Sequence, residues 1–169
     1  STDKRVNMCT KVLFDKYDTL EKIANAPIND IKNIIRTIGS FNKKSVYIKE
    51  IAKILVEKYN GVVPKGRDIL ETFPGVGRKT TNVFLSEFYN IPAIAVDTHV
   101  DRVSKRLRLA RKNDNVKNIE QKLMKKLKKE EWAKRHLQLV LFGRYYCKAI
   151  KPSCSECKLK DICIEKKKF

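Results

Sequence analysis

The chain has 169 residues, 42% of them hydrophobic, with 38 Lys+Arg against 19 Asp+Glu and a formal charge of +19. A chain of this length can bury roughly 70% of its unfolded surface, so a genuine core is within reach. The charge exceeds what solubility requires and points to a polyanionic partner; no apolar run approaches the roughly 20 residues of a membrane-spanning helix and no lipidation motif is present, which favours nucleic acid over a membrane.

The opening Ser1-Thr2-Asp3-Lys4 lacks the basic and apolar regions of a secretory signal, which predicts a reducing, intracellular compartment. Val6, Cys9, Leu13 and Tyr17 recur at helical spacing, and Cys9 reads as core filling on that face. Turn signals at Ala26-Pro27 and Ile38-Gly39-Ser40 bound short helices, and Ile48, Ile51, Ala52, Leu55 and Tyr59 mark the inner face of a longer one. Further breaks fall at Asn60-Gly61 to Pro64-Lys65-Gly66, at Phe73-Pro74-Gly75 and at Ile91-Pro92. Between Ser104 and Arg135 the dense lysines and arginines are interrupted by Leu107, Leu109, Ile119, Leu123 and Leu127, a pattern of amphipathic helices with a basic outer face. Ala133, Leu137, Val140 and Leu141 predict one more inward stripe, and the Lys166-Lys167-Lys168-Phe169 tail is expected to fray. No stretch alternates as a strand, so the chain is expected to be all-α, with about eight to ten short helices.

The segment Phe73-Pro74-Gly75-Val76-Gly77-Arg78-Lys79-Thr80 places a tight turn between two helical stretches. Gly75 and Gly77 permit positive φ and leave no side chain in the way of a phosphate, while the helix that follows offers unbonded N–H groups and a positive dipole end. Such a turn grips one backbone phosphate without reading sequence. Two nucleotide-binding motifs are excluded. Arg78 stands between Gly77 and Lys79 and Thr72 occupies the first glycine position of a P-loop, while Thr80 stands where a dinucleotide fingerprint needs glycine. A plain helix–turn–helix connection is the bland reading. Lys79 would be a surface cation by default, but next to a phosphate-gripping turn a desolvated amine close to other cations becomes nucleophilic.

An apolar run, Ile94-Ala95-Val96, ends at Asp97, an expected N-cap for the helix that starts at Thr98. Capping and catalysis are compatible roles for one carboxylate. His99 and Asp101 read as structural or surface groups. At the C-terminal end Cys147-x6-Cys154-x2-Cys157-x5-Cys163 crowds four thiols into seventeen residues, a strong metal signal in a reducing compartment. Spacing leaves a four-thiolate zinc site and a [4Fe–4S] cluster both open. Lys148, Lys151, Lys158 and Lys160 make this loop basic and suited to phosphate docking.

Together, Phe-Pro-Gly-Val-Gly-Arg-Lys-Thr at 73–80, Val-Asp-Thr-His at 96–99 and the four-cysteine spacing resemble the endonuclease III family of helix-hairpin-helix DNA glycosylases. The likeness runs along nearly the whole chain, including Ile-Arg-Thr-Ile-Gly up to Gly39 and Gly143-Arg144-Tyr145 ahead of Cys147. It implies a two-lobed all-α glycosylase fold, with residues 1–91 as one lobe and 92–169 as the other, closed by a cluster loop. It also implies a [4Fe–4S] cofactor on Cys147, Cys154, Cys157 and Cys163, Lys79 as nucleophile and Asp97 as its essential partner. Gly75, Val76, Gly77, Arg78, Ser40, Phe41 and Lys151 are the expected DNA contacts. The partner would be duplex DNA carrying oxidised pyrimidines or abasic sites, acted on by an intracellular monomer in the nucleoid, or in the nucleus or mitochondrion of a eukaryote.

Two positions depart from the family pattern. Of its Gln-x-Thr-Asp motif only Thr2-Asp3 lie in this sequence, and Ser40 stands where relatives present a bulkier wedge, with Phe41 beside it. The alternative expectation is a non-catalytic iron–sulfur DNA-binding module that has lost base flipping. A third is an RNA-binding protein with a zinc site.

Overall fold

The computed structural model describes residues 1–165; the expected fraying of 166–169 lies outside the described residues. Among the described residues the chain forms nine α-helices and no strand: α1 (Asp3–Lys16), α2 (Leu20–Asn25), α3 (Ile28–Ile35), α4 (Phe41–Tyr59), α5 (Arg67–Leu70), α6 (Arg78–Tyr89), α7 (Thr98–Arg106), α8 (Val116–Lys126) and α9 (Trp132–Leu141). A π-helical turn at Phe142–Tyr146 continues α9, and no described helix is long and apolar enough to cross a membrane.

Contacts divide the chain into two units, Ser1–Gly77 and Arg78–Phe169. The sequence reading drew its division after residue 91. The difference is α6, whose inner face of Thr81, Asn82, Leu85 and Ser86 is buried and which is bonded to later elements. Asn82 Nδ2 donates to the Ile94 carbonyl at 2.9 Å, and Arg78 pairs with Glu120 on α8.

The first unit packs α1, α3 and α4 around Cys9, Leu13, Ala26, Ile31, Ile35 and Ile38, with Val6, Tyr17, Phe41 and Ile48 against them. Cys9 is therefore core filling on the expected face. Helix α4 ends where Asn60 and Gly61 both take left-handed backbone, and the Gly61 N–H caps the Leu55 carbonyl at 2.9 Å.

The second unit is built on Ile94, Val96, Val100, Ala110, Ile119 and Leu123, with Trp132, Leu139 and Val140 of α9 packed on this core. Helix α8 follows its pattern: Ile119 and Leu123 are fully buried while Lys117, Lys125 and Lys126 face water. In α9 the expected stripe is corrected. Leu137 and Leu141 are 55% and 41% exposed, and the inward face is Trp132, His136, Leu139 and Val140. The helix is apolar on most sides, so periodicity alone did not fix its phase. The large Trp132, whose indole N–H also bonds the Leu127 carbonyl at 3.1 Å, turns it.

Candidate functional site

The turn after α5 is closed by the Val76 N–H donating to the Phe73 carbonyl at 3.0 Å. Gly75 sits at φ +74°, and a Cβ there would lie 2.3 Å from the Tyr47 ring, so conformation and space both demand glycine. Gly77 does not use left-handed backbone; its reason differs, since nothing lies within 4 Å of a Cβ built on it. That open space lets another backbone approach closely. Helix α6 starts at the next residue, so its unbonded N–H groups open the second unit.

Lys79, in the first turn of α6, is exposed beside Thr80, Val83, Phe84, Glu87 and Phe88, which with it border a shallow depression of about 540 Å³. The burial expected for this amine is therefore not supplied by the chain itself. Arg78 does not extend into solvent as a simple cation. Its Nε and Nη2 donate to Glu120 Oε2 and Oε1 at 2.7 and 2.8 Å, and the Glu120 side chain is 3% exposed.

Asp97 caps α7 as expected. Its Oδ1 accepts from the His99 and Val100 N–H groups at 2.9 and 2.8 Å, which leaves Oδ2 with no hydrogen bond among the described residues. The preceding Ala93–Val96 run is buried, so the carboxylate is fixed from both sides. His99 and Asp101 are structural, contacting Arg102 and Lys105 respectively.

The sequence reading missed His136. Arg102 reaches the carbonyls of Gly143 and Cys147, and Arg106 that of Lys148, so the turn after α9 lies beside α7. His136, two helical turns before Gly143, is half-buried on α9. Its imidazole is within electrostatic reach of Asp97, Glu87 and Lys79 together. Burial pushes its pKa below the ordinary 6.5, outweighing the two carboxylates that raise it, while Lys79 adds to the lowering. A histidine on an apolar helix face carries no local motif, so no sequence signal marked it.

Cys147, Cys154, Cys157 and Cys163 are unbridged and half-buried, and all four line one cavity of about 420 Å³ with Arg106, Phe142 and Tyr146. Helix α7 anchors the mouth of the loop: Arg106 Nη1 donates to Cys147 Sγ at 3.3 Å, and the Ile164 N–H returns to the Arg106 carbonyl at 2.9 Å. Burial and then the three neighbouring thiols push the Cys154 thiol up. Crowded thiolates repel one another, and this donor set therefore fits a cationic group that would relieve the repulsion. Of the remaining expected contacts, Lys151 is exposed in left-handed backbone on this loop, Ser40 is exposed in left-handed backbone before α4, and Phe41 is half-buried against the first unit's core.

The lowered His136 pKa gives a pH expectation. The unfolded chain titrates near 6.5 and the folded chain below it, so this residue's contribution is intact above pH 6.5 and is lost as pH falls from there through the folded midpoint. NMR titration should place the imidazole midpoint below 6.5, and His136→Gln should flatten stability against pH in that window. A midpoint at or above 6.5 would contradict the assigned burial.

Residues 1–129 match the family model described as HhH-GPD superfamily base excision DNA repair protein. The chain is 47% identical over 167 residues to endonuclease III of Bacillus subtilis (strain 168), covering 99% of this chain and 76% of that one. It is 44% identical over 168 residues to endonuclease III of Haemophilus influenzae, covering 99% and 79%. Among solved structures, a trapped endonuclease III–DNA covalent intermediate superposes with a TM-score of 0.94 at 48% identity, covering 97% of this chain and 77% of that chain. A thermostable thymine-DNA glycosylase superposes with a TM-score of 0.83 at 26% identity, covering the same shares. With a hairpin, a capped aspartate and four gathered thiols in the corresponding fold, the chain belongs to the endonuclease III family within the HhH-GPD superfamily of base excision DNA repair proteins.

Proposed function

We propose that the chain is a bifunctional DNA glycosylase and AP lyase, which removes oxidised pyrimidines from duplex DNA and cuts the abasic strand by β-elimination. The observation that carries this reading is the Asp97 carboxylate, oriented by α7 with one oxygen left unbonded, together with Lys79 in the first turn of α6 behind the glycine turn. A relative caught in a covalent complex with DNA supports an attacking group on the protein.

The backbone of Gly75 to Arg78 would clasp one phosphate, and the open space at Gly77 suits that approach. Lys151 on the cysteine loop would hold a second stretch of backbone, and Ser40 and Phe41 would be DNA contacts of the first unit. Extrusion costs a few kcal/mol, less for a damaged pair, which itself selects lesions. The DNA would then supply the desolvation that Lys79 lacks in the exposed state. Lys79 Nζ attacks C1′, and the C1′–N bond breaks with its electron pair leaving on the base. Asp97 Oδ2 stabilises the positive charge that develops on the sugar and takes the proton lost by the amine. The C1′–O4′ bond then breaks with its pair on O4′, which takes up the proton held by Asp97, and an iminium remains between Nζ and C1′. The iminium acidifies the 2′ position, a 2′ proton is lost, and the C3′–O bond breaks with its pair leaving on the phosphate. The work is DNA-associated, which places the chain with the chromosome inside the cell.

For the thiols we assign a [4Fe–4S] cluster. A single zinc, with Zn–S near 2.3 Å, would draw four sulfurs to within about 4 Å of one another. Here the four thiols border one cavity, and their spacing is the one that resembles the endonuclease III family. That resemblance supports ligands held on the irons of one cluster. When bound, the cluster supplies structure alone: it staples a loop with too few apolar residues to order itself and so presents Lys151 to phosphate.

Borohydride trapping on duplex DNA with an abasic site should give a covalent adduct with the wild type and none with Lys79→Ala. Equal trapping by both proteins would assign the chemistry to another amine, and no adduct from either would favour a non-catalytic DNA-binding module. The purified protein should show broad visible absorbance near that of iron–sulfur proteins, lost in Cys154→Ser; a colourless protein with one zinc per chain would overturn the cofactor assignment.

A further inference from the structure

We infer that Glu120 is a positioning residue for the reaction, acting through Arg78 to hold the first turn of α6, and with it Lys79, in register with Asp97. The inference rests on the nucleophile reading above. The pair is bidentate, at 2.7 and 2.8 Å, and its carboxylate is buried on α8 between Ile119 and Leu123 of the same helix, the latter two fully enclosed in the second unit's core. Fork-to-fork geometry of this kind fixes orientation as well as distance. One turn further along α6, Asn82 Nδ2 bonds the Ile94 carbonyl, three residues before Asp97. Lys79 thus projects from a helical turn tied at both ends, once to α8 and once to the strand-like run that leads into the capped carboxylate. One tie ends at Ile94 and the other at Glu120, next to Ile119, so amine and carboxylate are both anchored to the core of Ile94, Val96, Val100, Ile119 and Leu123.

The pair also gives Arg78 a different task from the one its place in the hairpin motif suggests. A phosphate-binding arginine needs its fork for the phosphate, whereas here the Nε–Nη2 edge is committed to Glu120. Loss of the carboxylate would remove the bidentate tie between the helix start and α8. A misplacement of the nucleophile by a fraction of an ångström to an ångström is costly for rate while leaving ground-state DNA affinity nearly unchanged.

The test compares Glu120→Gln, Arg78→Lys and the apolar double variant Arg78→Met/Glu120→Leu, with wild type and Lys79→Ala as references. Single-turnover borohydride trapping is measured on abasic duplex, affinity on intact duplex, and thermal midpoint on each protein, all well below the lowest midpoint. The inference predicts at least a tenfold fall in trapping rate for Glu120→Gln and Arg78→Lys, with duplex affinity within twofold of wild type. The double variant should lose no more than the worse single variant, because both act through one contact. Wild-type trapping by Glu120→Gln, whatever its thermal midpoint, overturns the inference while leaving Lys79 in place. A loss of affinity confined to the Arg78 variants also overturns it, since that marks a phosphate contact. Undiminished trapping by Lys79→Ala overturns this inference and the nucleophile assignment together.

Discussion

Two backbone N–H groups at the start of α7 hold one oxygen of Asp97, and much of the second unit follows from that cap. The helix gains a partner for donors that no intrahelical carbonyl can reach. The carboxylate gains a fixed direction and keeps a second oxygen for another task. Capping by itself is an ordinary structural event. In the proposed reaction it also serves chemistry, at a place where Asp97, Lys79 and Glu87 all lie within electrostatic reach of His136.

Helix α7 serves both ends of the unit. Its N-terminus carries the carboxylate, and its last two turns carry Arg102 and Arg106, which bond carbonyls at Gly143, Cys147 and Lys148 and one thiol of the cysteine cavity. Cations near a helix C-terminus are favoured by its dipole, and these two also satisfy the carbonyls of the turn that leads into the loop. Gly143 is part of the same joint. A Cβ there would lie 2.8 Å from His99 Cβ and 3.1 Å from Val103, so the π-helical turn can close on α7 only with glycine. The candidate reaction centre and the thiol cavity are thereby mechanically linked through nine residues of helix.

The parts legible in the sequence were those whose physics is local. A proline and two glycines mark a turn, an aspartate after an apolar run marks a cap, and four close cysteines mark a shared cavity; each needs only neighbours in the chain. Burial of Cys9, Ile119 and Leu123 was equally readable from period. What escaped depends on contacts distant in sequence. His136 and Glu120 gain their meaning from partners dozens of residues away, and neither sits in a local motif. The phase of α9 was misread because Leu137 and Leu141 are as apolar as the residues that turn inward. Lys79 illustrates a different limit: it is exposed, so in the proposed reaction the desolvation of a nucleophilic amine would arrive with the DNA.

The central claim is that the Asp97 carboxylate does more than cap a helix, and Asp97→Asn separates the two roles because asparagine caps about as well as aspartate. Single-turnover base release from duplex carrying an oxidised thymine is the measurement, made alongside thermal unfolding. The account predicts a thermal midpoint close to wild type with base release slower by about a hundredfold or more. Base release at the wild-type rate from a well-folded Asp97→Asn protein would contradict it.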